Sequence, residues 1–173
     1  GGLFLDPVNT GQLQQFARAY RALPAKKFET VSASTDPVAV RSLTYNGRQY
    51  LYLVNREYYP VAVELALTDA AQATDLATQQ AAGVQPQWPV TLGPYELRAF
   101  MLDNTAKVSG FAASAPDHIV AQLKSDAEAA LEQIARLRAA NAQLPTGADR
   151  MEADIRAALE AGHYAWLRRA LHS

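Results

Sequence analysis

Two hydrophobic periods divide this chain. Leu13, Phe16, Ala17, Tyr20 and Leu23 recur at spacings of three and four, which predicts a helix with one apolar face. Pro24 stops it, and Asn9 or Thr10 is its expected cap. The run Leu3-Phe4-Leu5 ahead of it reads as a strand end. From residue 28 onward the period falls to two, as in half-buried strands. Expected strands are Phe28–Ser34, Val38–Tyr45, Arg48–Val54, Val61–Leu67, a weaker Thr74–Thr78, Trp88–Leu92 and Tyr95–Leu102. Asn46-Gly47 joins two of them, and that dipeptide suits a type I′ turn with positive φ at both central residues. Leu51 and Leu53 share one face of their strand, while Tyr50, Tyr52 and Val54 share the other.

After residue 103 the helical period returns in an Ala-rich segment. Ile119, Val120, Leu123, Ala127, Ala130, Leu131, Ile134 and Leu137 form one stripe. Met151, Ile155, Ala158 and Leu159 form a second, Gly162 ends or kinks it, and Tyr164, Trp166, Leu167 and Leu171 add a short last turn or helix. Ser114–Asp117 and Thr146–Asp149 read as capping boxes. The expected fold class is α+β: an antiparallel β-sandwich of six to seven strands with an N-terminal helix and a C-terminal α-hairpin. The expected divisions are residues 1–27, a strand stub and helix left from a preceding domain; 28–103, the sandwich; and 104–173, the helical hairpin tail. A strand stub and one amphipathic helix cannot bury themselves, so that helix needs another surface. Gly1 reads as a cloning remnant and the chain as a segment of a longer protein.

Composition narrows the chemistry. The chain has 173 residues and a net charge of −1, which gives no electrostatic footprint for nucleic acid. It has no Cys, so disulfides, thiol catalysis and Cys metal sites are excluded. No apolar run approaches the roughly 20 residues of a membrane span. His118, His163 and His172 show no metal-binding register, and no cofactor motif is present.

Three segments resemble the accessory β-sandwich that follows the (β/α)8 barrel in bacterial glycoside hydrolases. Tyr50-Leu-Tyr-Leu-Val-Asn55 is similar to a strand ending in Asn before a turn. Thr74-Asp-Leu-Ala-Thr78 is similar to a short Asp-Leu segment between later strands. Thr91 to Met101, with its Gly-Pro-Tyr, resembles the closing strand pair. Phe16-Ala-Arg-Ala-Tyr20 resembles the last barrel helix leading into that module. The likeness covers roughly residues 3–103 and leaves the helical tail outside it. It implies a non-catalytic region whose partner is a missing N-terminal catalytic domain of the same polypeptide, since barrel enzymes carry their acids at barrel strand ends. It also leans toward an exported enzyme over a cytoplasmic one.

No residue here is therefore expected to be catalytic. Asp6 reads as a turn residue before Pro7. Glu29, Asp36, Glu57, Glu64, Asp69, Asp75, Glu96 and Asp103 read as solvated surface acids. Tyr58, Tyr59 and Trp88, with Tyr45 beside the hairpin turn, are candidates for a carbohydrate platform, because flat rings stack on the apolar face of a sugar. Core packing is the competing reading for those rings. Besides the accessory role, two alternatives stand: a carbohydrate-binding module using those rings, and a protein–protein module or homodimer formed through the C-terminal helices.

Overall fold

A computed structural model describes residues 7–32, 37–140 and 142–172, the side chains of residues 7–9 excepted. The expected strand end at Leu3–Leu5, the turn residue Asp6, residues 33 and 34 of the first expected strand, and Asp36 lie outside the described residues. The chain forms two compact units, Gly1–Ser114 and Ala115–Ser173.

In the first unit, helix α1 (Pro7–Ala22) precedes nine strands: β1 (Glu29–Thr30), β2 (Val38–Tyr45), β3 (Arg48–Asn55), β4 (Val61–Leu67), β5 (Ala71–Asp75), β6 (Ala81–Val84), β7 (Gln87–Leu92), β8 (Leu97–Leu102) and β9 (Val108–Ser114). Their order is β1-β2-β3-β8-β5-β6 in one sheet and β7-β4-β9 in the other, with every pairing antiparallel. The sandwich is as expected, with two strands more than the alternation predicted. β6 is Ala81-Ala-Gly-Val84 and β9 is largely Ser, Gly and Ala, so neither carries the large alternating side chains that mark a strand in sequence. β9 joins the second sheet through pairing with β4, which moves residues 108–114 from the expected tail into the sandwich. Asn46 and Gly47 both take positive φ, 50° and 75°, as the β2–β3 turn demands.

The core lies between the sheets. Val38, Val40, Leu51, Leu53 and Leu102 from the first face Val61, Val63, Leu65 and Leu92 from the second, all at most 2% exposed. Complete burial of such a side chain contributes about 1.5–3 kcal/mol. The outer face of the larger sheet carries α1: Ala19 packs with Leu76 and Ala99, bordered by Leu23, Tyr50, Tyr52, Leu97 and Met101. Small residues at the contact let helix and sheet approach closely. The helix begins at Pro7, where a missing N–H costs nothing, so Asn9 and Thr10 lie within it and not at the expected cap position before it.

The second unit is α2 (Asp117–Ala139), α3 (Ala148–Ala161) and α4 (Tyr164–Leu171). Leu123, Ala127, Ile155, Ala158, Leu167 and Ala170 form its buried centre. Neither expected capping box forms. Ser114 ends β9 and Pro116 stands at the α2 N-cap; Gly147, at φ 92°, stands at the α3 N-cap. Gly162 closes α3 in the left-handed conformation, as its position predicted.

Candidate functional site

The three sequence motifs converge on β8 and the turn before it. Along β3, Gln49, Leu51, Leu53 and Asn55 form the inward row, with a polar residue at each end. Asn55 is 1% exposed. Its side-chain N–H groups donate to the Tyr59 carbonyl at 2.7 Å and the Gly93 carbonyl at 2.8 Å, while its Oδ1 accepts from the Glu57 N–H at 3.0 Å. One amide thus closes the β3–β4 loop and ties it to the β7–β8 turn. That turn is further held by the Gly93 N–H donating to Glu96 Oε2 at 2.6 Å, and by the Tyr95 N–H donating to the Glu57 carbonyl at 3.0 Å. Polar groups buried this deeply need such partners.

The Asp75 motif meets β8 from the other side. Its Oδ1 accepts from the Ala77 and Thr78 N–H groups, at 2.9 and 3.2 Å, turning the chain out of β5. Its Oδ2 accepts from the Arg98 guanidinium at 2.8 Å. Burial by itself raises the Asp75 carboxyl. The Arg98 hydrogen bond, the two backbone N–H groups and the guanidinium charge together outweigh burial and hold it below its usual value. A carboxylate held ionised in this way serves as an anchor, not as a proton donor near neutrality. Arg98 also lies 4.9 Å from the Phe100 ring centroid.

The proposed platform rings separate. Tyr58 is 46% exposed, but its neighbour Tyr59 is 2% exposed and its ring meets that of Tyr58 edge-on at 5.1 Å. Trp88 is on β7, half-buried, on the same side of the strand as buried Val90 and Leu92. Its ring sits edge-on to Phe100 at 4.8 Å. Tyr59 and Trp88 therefore pack inside the sandwich, and the three do not form one exposed surface. The prolines flanking Trp88 gave its segment a loop-like look; Pro89 is tolerated because β7 is an edge strand. Tyr45 is 37% exposed. The exposed ring that alternation missed is Tyr95, 63% exposed with φ of 54°. The Gly-Pro ahead of it was the available signal, since it announces a turn in which a residue can be turned outward. Glu57 corrects the expectation of a solvated acid, being 1% exposed.

A second exposed apolar surface lies on α1. Leu13, Phe16 and Tyr20 are 52%, 45% and 64% exposed, and the last two rings stack in parallel at 5.9 Å. Beside them opens a groove of about 610 Å³ walled by Tyr20, Leu23, Phe28, Tyr52 and Leu97, with Arg21 and Lys26 at its rim. Among the described residues no group of three His, Asp or Glu side chains could hold a metal ion, and no helix is long and apolar enough to cross a membrane.

No protein-family model matches the chain, and no curated protein matches it. Its structural neighbours are glycoside hydrolases matched over part of their length. The α-amylase of Geobacillus thermoleovorans, solved with acarbose, is similar over 61% of this chain and 25% of its own, at 14% identity and TM-score 0.46. An Anoxybacillus α-amylase is similar over 62% and 25%, at 14% identity and TM-score 0.45. The α-galactosidase I of Mortierella vinacea is similar over 49% and 25%, at 13% identity and TM-score 0.42. The chain spans no more than a quarter of the length of these proteins. Likenesses at these TM-scores do not fix a family.

Proposed function

We propose that this chain is a non-catalytic accessory region of a multidomain glycoside hydrolase-like protein, packing against and supporting a catalytic barrel in the same polypeptide. The observation that carries this reading is the apolar stripe of helix α1, which is covered along one edge only. At Ala19 and Leu23 it packs on the sheet. Leu13, Phe16 and Tyr20, further round the same side of the helix, are exposed to solvent. The apolar stripe of a surface helix normally faces a core, so the uncovered part suits a second partner. The side chains of the three resembling motifs agree with a supporting role. Asn55 and Asp75 are fully engaged in holding turns, which leaves neither available for bond cleavage.

Two measurements test this. The coding frame upstream of Leu3 should encode several hundred residues with repeating strand–helix periodicity and two strand-end carboxylates. When that segment is produced separately, it should bind residues 1–173, and Phe16→Ser with Tyr20→Ser should weaken the complex by roughly tenfold or more. An upstream frame without such a domain would end the accessory reading. So would glycoside turnover by the isolated chain that disappears on replacing one of its own carboxylates.

A further inference from the structure

The two polar ends of the inward row on β3 are treated differently. Asn55 uses every polar atom of its amide. Gln49, at the other end, is 2% exposed, and its Oε1 accepts from the Thr44 hydroxyl at 2.6 Å. Its Nε2 has no hydrogen-bond partner among the described residues, yet it is not sealed from solvent. Instead Gln49 lines a cleft of about 460 Å³, where the sandwich interior opens beside β1 and the start of β9. Turning the amide end for end would leave its oxygen open to the cleft, so one polar end faces it in either orientation. An amide end that is reachable by solvent is bonded to water in the free chain and can exchange that water for a ligand's hydroxyl group.

The walls define that partner. Ser42 and Thr44 contribute hydroxyls from β2, and Glu29 and Lys107 contribute one negative and one positive charge at the mouth. Neither Glu29 nor Lys107 makes an ion pair among the described residues. The two charges cancel, which favours a neutral ligand over an anion or a cation. The walls mix donors (amide N–H, ammonium) with acceptors (carboxylate, hydroxyl oxygen). Vicinal hydroxyl groups, each both donor and acceptor, match such a mixture. The volume falls within the usual range for small-ligand sites, about 300–1,000 Å³. We infer that the cleft at Gln49 is a binding site for a neutral polyhydroxyl ligand, the end unit of a sugar, oriented by the Gln49 amide. This site is separate from α1 and from Tyr58 and Tyr95, and it does not depend on the accessory reading.

The test is a titration of residues 1–173 with maltose, cellobiose and lactose in turn, followed by nitrogen–proton NMR of the Gln49 side-chain amide. At least one sugar should shift those two N–H signals saturably. Lys107→Ala and Gln49→Met should each weaken that response roughly three- to tenfold, the loss of about one hydrogen bond. Lys107 is an exposed residue, so its variant keeps the test valid if the buried substitution unfolds the chain. Amide signals that stay fixed up to the solubility limit of all three sugars would mean that only water fills the cleft, and would overturn the inference. It would equally be overturned if the shifts centred on Tyr58 and Tyr95, or if inorganic phosphate moved the Gln49 amide when the sugars did not.

Discussion

The side chain of Asn55 donates a hydrogen bond to the carbonyl of Gly93, 38 residues further along the chain, across 2.8 Å. That bond joins the end of β3 to the turn that starts β8. The same amide also holds the Tyr59 carbonyl and the Glu57 N–H, so the whole end of the sandwich depends on one side chain.

Replacing it should therefore be costly. Asn55→Ala removes two donors and an acceptor from a buried site and breaks three hydrogen bonds to backbone groups. A loss of about 2–4 kcal/mol is expected in urea unfolding. A midpoint within error of the parent would show that the loop and turn hold each other without it.

Asp75 makes stability depend on acid. Its carboxyl lies below its usual value in the folded chain, so its contribution is complete above its unfolded pKa of about 3.9 and fades as pH falls through the lower folded value. The Arg98 side chain is 34% exposed, so solvent screening limits the pair to about 1 kcal/mol. Asp75→Asn should cost that much at pH 7 and flatten the acid limb of a stability–pH curve. An acid limb unchanged in the variant would assign the dependence to other carboxylates.

The covered and uncovered parts of α1 should respond to different degrees. Tyr20→Ser, on the exposed face, should change the stability of the isolated chain by less than about 0.5 kcal/mol. Ala19→Leu, at a position with no exposure, overfills the contact with Leu76 and Ala99 and should cost about 1–3 kcal/mol. Deleting residues 1–27 should lower the melting temperature of the sandwich. Equal effects at Ala19 and Tyr20 would mean that the helix does not dock as described.

In the helical unit, Leu167 is fully buried among Leu123, Ala127 and Ile155. Leu167→Ala should cost about 2–5 kcal/mol, read from the loss of helical circular dichroism on heating. A cost below that of an exposed alanine substitution would remove α4 from the core.

Much of the fold is visible along the chain because strand faces have a fixed period. Leu51 and Leu53 face inward and Tyr50 and Tyr52 face α1, as alternation requires. Asn46-Gly47 and Gly162 announce their turns because few other residues accept positive φ. β6 and β9 were hidden, since small residues leave no alternation to read and their strand state comes from pairing with β5 and β4. The first capping box failed for a related reason: the pairing of β9 extends through Ser114 and takes the residue that would have capped α2.

The candidate rings show where local pattern stops. Tyr58 and Tyr59 are adjacent and chemically identical, and no local rule distinguishes them. The Asn55 bond to the Tyr59 carbonyl shapes the loop in which one ring turns inward and the other outward. Trp88 looked accessible between two prolines, but its strand pairs with β4 and its ring meets Phe100 across the sandwich. Residue order along the chain was enough to establish two periods, the main strands and the helices. Which polar groups are satisfied, which rings are exposed and which cleft opens at Gln49 depended on contacts between residues far apart in sequence. Those contacts exist only once the sheets have closed on each other.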